Sequence, residues 1–323
     1  MSSEIPTKTK RTPHPRADLL GPRGADMTFA GELSFLRRKF TTDIQGADLV
    51  VTGIPFDMAT TFRPGARLGP QAIRAASVQL AEIAGRAFPF DIDLFSTLAI
   101  ADYGDCTIDS GFPQQAAAAI EAHAKKIIDQ GPKLLSLGGD HFVTYPLLRA
   151  HAEKYGPLSL IHFDAHVDTW EDDGERIDHG SMFLRALREG IIVPERSVQI
   201  GIRSFSEEDH GFTVCTAPFV HEHGPRVVID KVLSVVGDKP AYITFDIDCL
   251  DPAFAPGTGT PVAGGLSSSQ ALAILRGLGS VNIIGMDVVE VAPAYDHAEI
   301  TAIAAATIAH DLICQEALRK TSA

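Results

Sequence analysis

The sequence is poor in cysteine. Cys106, Cys215, Cys249 and Cys314 are its only four, and no two stand in a CxxC spacing. That excludes a disulfide framework and a thiolate zinc knuckle, and a reduced, cytoplasmic setting is expected. No apolar run approaches the roughly 18 residues of a membrane span. The N-terminal bases Lys8, Lys10 and Arg11 are followed by no apolar stretch, and Pro6, Pro13 and Pro15 spoil an amphipathic helix. Neither a secretory signal nor a transit peptide is expected. Positive charge is also scarce, with 28 Lys and Arg against 41 Asp and Glu and a formal net charge of −13. The first forty residues hold eight bases and four acids, so the negative excess lies in the rest of the chain. Such a chain lacks the basic footprint of a nucleic-acid binder. It suits a cationic or neutral small-molecule substrate.

What is present is a large apolar content, 45% of 323 residues, enough for a sizeable core. Residues 1–30 are polar and rich in Pro and Gly and read as an irregular N-terminal arm, with a single catalytic domain over 31–323. Short apolar runs at 47–53, 97–101, 133–137, 158–163, 198–200, 213–215, 241–245 and 282–286 have strand character. Helical spacing lies between most of them, at about 71–87, 114–129, 144–154, 181–189, 226–236, 268–277 and 299–318. Alternation of this kind predicts βαβ units and a mainly parallel sheet covered on both faces. An open doubly wound sheet and a closed barrel both fit, and both place function at the carboxyl ends of the strands.

Polar clusters follow those runs. Leu134-Leu135-Ser136-Leu137 leads to Gly138-Gly139-Asp140-His141, and Leu160-Ile161 leads to Asp164, His166 and Asp168. A loop carries Asp178-His179-Gly180, Tyr242–Phe245 leads to Asp246 and Asp248, and Ile283–Met286 leads to Asp287 and Glu290. On a strand, residues two apart share a face, so Asp164, His166 and Asp168 are expected side by side, as are Asp246 and Asp248, with Cys249 on the opposite face. Singly, each cluster reads as a turn or helix cap. Jointly, His141, Asp164, His166, Asp168, Asp246 and Asp248 form six donors, too many for one four-coordinate zinc. Nitrogen and oxygen donors without sulfur suit two manganese ions, with iron, cobalt or nickel also compatible. A metal pair that lowers the pKa of a shared water points to hydrolysis. His162 lies one step back inside the strand and reads as a core histidine. His151, His210, His221, His223 and His310 read as surface residues.

At these residues the sequence resembles the ureohydrolase family of arginases, agmatinases and related guanidino-compound hydrolases. The resemblance rests on GGDH at 138–141, DAHVD at 164–168, DIDCLDPAFAPGTGTP at 246–261 and GMDVVEVAPAYD at 285–296, and it spans roughly residues 45 to 318. Within the family, bacterial agmatinases are the nearest in pattern. The resemblance implies an arginase-like three-layer α/β/α sandwich with a mainly parallel eight-stranded sheet, in trimers or hexamers. It implies one manganese on His141, Asp164, Asp168 and Asp246 and a second on Asp164, His166, Asp246 and Asp248. It gives His179 the role of proton shuttle, near neutral pKa, and Glu290 that of gripping the substrate's guanidinium, with Asp168 holding the attacking water. The expected reaction is agmatine to putrescine and urea. A guanidino-acid hydrolase is the alternative, since Arg63 and Arg67 offer a carboxylate receptor, whereas the acidic stretch Trp170–Asp178 suits a cationic tail. A degenerate, non-catalytic binding protein on the same fold is the alternative of another class.

Overall fold

The computed structural model describes residues 14–21 and 27–322. The expected arm of residues 1–30 therefore lies in part outside the described residues. Of its described part, Leu19 is buried, and Arg16 Nη1 donates to the carbonyls of Asp43 (2.9 Å) and Gln45 (3.0 Å).

Among the described residues the sheet has nine strands: β1 (Lys39–Phe40), β2 (Leu49–Gly53), β3 (Ile100–Asp105), β4 (Lys133–Leu137), β5 (Ser159–Phe163), β6 (Val198–Ile202), β7 (Thr213–Thr216), β8 (Ala241–Asp246) and β9 (Ile283–Val289). All eight apolar runs are strands. The ninth, β1, is a two-residue edge strand with both side chains exposed, so it carries no apolar pattern to read. The order is β1-β3-β2-β4-β9-β8-β5-β6-β7, and every pairing is parallel. The sheet is open, which decides against the barrel.

The helices are α1 (Gly69–Ala81), α2 (Leu94–Thr97), α3 (Ala116–Ile128), α4 (Thr144–Tyr155), α5 (Met182–Arg188), α6 (Ala217–Val236), α7 (Ser268–Arg276) and α8 (Ile300–Ser322). Helices α1, α2, α6, α7 and α8 pack with one another on one face of the sheet, and α3, α4 and α5 cover the other. Successive strand residues therefore enter different cores: Leu135, Ile161 and Ile243 face the first layer, Leu134, Leu160 and Tyr242 the second. Burying a side chain such as Phe163 or Phe245 contributes about 1.5–3 kcal/mol.

Three expectations need correction. Helix α1 stops at Ala81, not at 87, because Gly85 weakens the next turn, which tightens to a short 3-10 segment at Ala84–Arg86. Helix α6 begins nine residues before the expected 226: Thr216 caps it, and the chain kinks at Gly224 (φ 78°) before Pro225, which hides the first half from a periodicity search. His151 and His310 are buried, not on the surface, because they lie on the inward faces of α4 and α8. No helix among the described residues is long and apolar enough to cross a membrane.

The chain leaves β4, crosses through α4, and returns as β5 three places away; β9 and β8 later fill the gap. The carboxyl ends of β4, β9, β8 and β5 thus border one crevice, where an open parallel sheet binds ligands.

Candidate metal centre

Each of those four strands ends in the polar cluster read from the sequence. After β4 the chain turns sharply, and Gly139 is required there: a Cβ would sit 1.7 Å from the Phe56 carbonyl oxygen. That close passage lets the Asp140 N–H donate to the same oxygen at 2.7 Å and points His141 into the crevice.

The donors converge, though not by the expected route. Strand β5 ends at Phe163 and β8 at Asp246, so neither the triplet Asp164, His166 and Asp168 nor the pair Asp246 and Asp248 continues as extended strand. Asp164 accepts the His166 N–H at 2.6 Å, and Asp168 adopts a left-handed backbone (φ 50°) that turns its carboxylate back toward Asp164. Asp246 likewise accepts the Asp248 N–H at 2.7 Å, in a 3-10 turn over Ile247–Cys249. The polar side chains close the turns that aim them, which a strand-face argument misses. Cys249 points away, with its Sγ 3.4 Å from the Ile200 carbonyl.

His141 Nδ1 lies 2.9 Å from Asp164 Oδ2, 2.9 Å from Asp168 Oδ2 and 3.3 Å from Asp246 Oδ2. His166 Nδ1 lies 3.2 Å from both Asp164 Oδ1 and Asp248 Oδ2. Two overlapping donor groups result, His141, His162, Asp164 and Asp168, and Asp164, His166 and Asp248, which share Asp164. His162 differs from the others: its Nδ1 accepts from Gln199 Nε2 (3.1 Å), so Nε2 carries the proton and donates to Asp164 Oδ2 at 2.7 Å. It is a buried, fully bonded residue that orients a donor.

The charge balance calls for a cation. Asp164, Asp168, Asp246 and Asp248 are buried, and among the described residues no lysine or arginine pairs with them. His141 Nε2 is 2.8 Å from Thr244 Oγ1, whose hydroxyl donates to Asp287 Oδ1 at 2.6 Å. The hydroxyl proton being spent, Thr244 accepts from Nε2–H. Nδ1 is thereby turned to the carboxylate oxygens; burial alone would lower the His141 pKa, but Asp164, Asp168 and Asp246 raise it well above the ordinary imidazole value. The pocket thus favours positive charge at this point, which a divalent ion held by Nδ1 and the carboxylates would supply. Burial, then the neighbouring Asp248 and Asp164, raises Asp246 well above the usual carboxylate range, and burial and Asp164 raise Asp168. The donors present fit divalent metal.

Beside the donors, Glu290 is buried with a left-handed backbone (φ 65°), a strain typical of functional positions. Its Oε1 accepts the His141 N–H (2.8 Å) and His179 Nδ1 (2.7 Å), while Oε2 has no partner. Burial lowers the His179 pKa, but Glu290, Asp168 and Asp140 outweigh it and lift it to about 9, above the expected near-neutral value. A cavity of about 130 Å³ is lined by Thr61, His166, Asp168, Trp170, His179 and Asp246. Beyond Trp170 it gives way to a groove of about 560 Å³.

Two predicted substrate contacts are otherwise engaged. Arg67 Nε is 2.5 Å from Asp57 Oδ1, so it is no free carboxylate receptor. Arg63 lies over the Phe62 and Tyr295 rings. Asp172 is buried against Arg185, and Asp173 and Asp178 cap turns of their own loop, so most of that loop's acidity is internal. Thr61, Thr244, Thr260 (3.2 Å from Asp248 Oδ2) and Gln199 escaped the sequence reading. Asp287 carried a signal, as a carboxylate inside the buried run of β9.

A sequence profile of the Arginase family matches residues 47–314. The chain belongs to the arginase family. It is 57% identical over 289 residues to the agmatinase of Chromobacterium violaceum, covering 89% of each chain. The crystal structure of a hypothetical agmatinase from Burkholderia thailandensis superposes with a TM-score of 0.93 at 58% identity, covering 95% of this chain and 96% of the other. Proclavaminate amidino hydrolase from Streptomyces clavuligerus superposes with a TM-score of 0.85 at 39% identity, over 90% and 99% of the two chains.

Proposed function

We propose that this arginase-family chain hydrolyses agmatine to putrescine and urea. The observation that carries the reading is the 57% likeness to an agmatinase across nearly the whole of both chains, in a protein that retains all six donors. His141, Asp164, Asp168 and Asp246 would hold one manganese ion and Asp164, His166, Asp246 and Asp248 the other. When bound, such a pair supplies a water acidified for attack on the guanidino carbon.

The chain's own residues do the rest. Glu290 Oε2 accepts from the planar guanidinium and fixes its central carbon over the donor cluster. Asp168, on the cavity wall, accepts a hydrogen bond from the attacking water. His179, buried beside Glu290, takes part in proton movement to the departing amine. The groove beyond Trp170 sets Glu171, Glu207 and Glu208 against Arg188 and His210, an acidic excess that suits an ammonium tail, and the engagement of Arg67 by Asp57 disfavours a carboxylate tail. The reading includes a cytoplasmic protein assembled as a trimer or hexamer, supported by large apolar side chains left exposed, Phe29 at 90%, Phe205 at 80% and Phe88 at 79%.

The test is stoichiometry. Manganese-loaded protein should release urea and putrescine from agmatine in equal amounts. Absence of both products would defeat the reading.

A further inference from the structure

Arg203 follows directly after β6, and it reaches two of the donor turns at once. Its main-chain N–H donates to the carbonyl of Ala165, the residue between Asp164 and His166, at 2.9 Å. Its guanidinium donates to main-chain carbonyls at the other turn. Nη2 reaches Asp248 (2.6 Å) and Leu250 (3.3 Å), and Nη1 reaches Cys249 (3.3 Å) and Gly201 (3.1 Å). One further hydrogen bond closes a ring: Asp248 Oδ1 accepts the Ala165 N–H at 3.1 Å. Ala165, Asp248 and Arg203 are thus each bonded to the other two.

The same guanidinium fixes a third segment. Nε and Nη2 donate to the Val262 carbonyl at 3.0 and 2.7 Å. That loop carries Thr260, whose hydroxyl donates to Asp248 Oδ2 at 3.2 Å. Carbonyl oxygens converging on one point repel one another unless donors lie between them. A planar guanidinium offers five N–H groups in a fixed fork, whereas a lysine offers three on a point charge. The ring is also one-sided. It includes the turns of His166 and Asp248, while His141 is held by Thr244 and Glu290.

We propose that Arg203 is a positioning residue that sets the spacing of His166 and Asp248, 3.2 Å apart from Nδ1 to Oδ2, and so governs the ion held between them and not the ion beside His141. The inference rests on the reading of the six donors as a two-metal site.

The test reads each metal position separately. Crystals of the full chain are equilibrated with graded manganese, and anomalous scattering gives the occupancy at each position. In Arg203→Met the manganese needed to half-fill the position between His166 and Asp248 should rise about 10- to 100-fold, with the position beside His141 changed less than about threefold. Arg203→Lys, which keeps the charge and loses the fork, should show a smaller loss at the same position. In electron paramagnetic resonance, manganese that gives a spin-coupled pair in the wild type should give isolated ions in Arg203→Met. Equal weakening at both positions, or wild-type occupancy at both, contradicts the proposal. Failure of both variants to fold contradicts it too, since Arg203 would then support the fold as a whole. A wild type that holds fewer than two ions overturns the two-metal reading and the inference together. Inactivity of the wild type on agmatine, with the selective loss observed, refutes only the substrate reading.

Discussion

The Thr244 hydroxyl donates to Asp287 Oδ1 at 2.6 Å, and this one bond decides which nitrogen of His141 faces the crevice. Asp287 is itself fixed by Tyr242 OH and Thr144 Oγ1, each 2.9 Å from Oδ2. Thr244→Val removes the relay at nearly constant volume. Metal affinity should fall about 10- to 100-fold, with agmatine turnover recovered at excess manganese. Metal titration checks this, and undiminished affinity would show that the relay does not orient the ligand.

Glu290 offers a second test. Glu290→Gln retains an oxygen and the approximate shape but loses the charge that a guanidinium needs. We expect kcat/KM on agmatine to fall at least about 100-fold, or about 3 kcal/mol, the range of a charge-assisted hydrogen bond. Bound manganese should be unchanged, as measured by elemental analysis. A variant with near wild-type kcat/KM would remove Glu290 from substrate binding.

Structure and chemistry separate at Arg74. It is buried under the sheet edge, with Nε 2.9 Å and Nη2 3.0 Å from the two oxygens of buried Asp102, and Nη1 2.5 Å from Asp105. Arg74→Met leaves Asp102 as an uncompensated buried charge and should destabilise the fold by about 3–5 kcal/mol. Denaturant melts should show this loss, while the protein that remains folded binds manganese normally.

A pH effect follows from His151, far from the donors. Burial depresses its pKa to about 4; Nδ1 is 2.7 Å from the Leu147 carbonyl and Nε2 has no partner. A histidine depressed in the fold takes up its proton more readily when unfolded. Its contribution is intact above the unfolded pKa of about 6.5 and is lost as pH falls toward the folded value. Between pH 7 and pH 4.5 the loss is about 2–3 kcal/mol. His151→Leu should therefore lose less stability than the wild type over that interval in parallel melts. Identical losses would show that His151 does not titrate on unfolding.

Much of the fold was legible because its strands are short, wholly buried and apolar. The exceptions have physical causes: β1 is too short and exposed to carry a pattern, and Gly224-Pro225 disguises the first half of α6. The donors were legible for the opposite reason, as charged residues just past apolar runs. How they converge was not. Asp168 reaches Asp164 by a left-handed backbone, and Asp246 by capping a turn, features that depend on the folded chain. Least legible was the contact of Thr61 with His179, which only tertiary structure creates.

The most direct test of the central claim is initial rates of urea release by the manganese-loaded protein on agmatine, arginine, guanidinobutyrate and guanidinopropionate, measured side by side. Agmatine should give the highest kcat/KM of the four. Efficient turnover of a guanidino acid with little on agmatine would contradict the account.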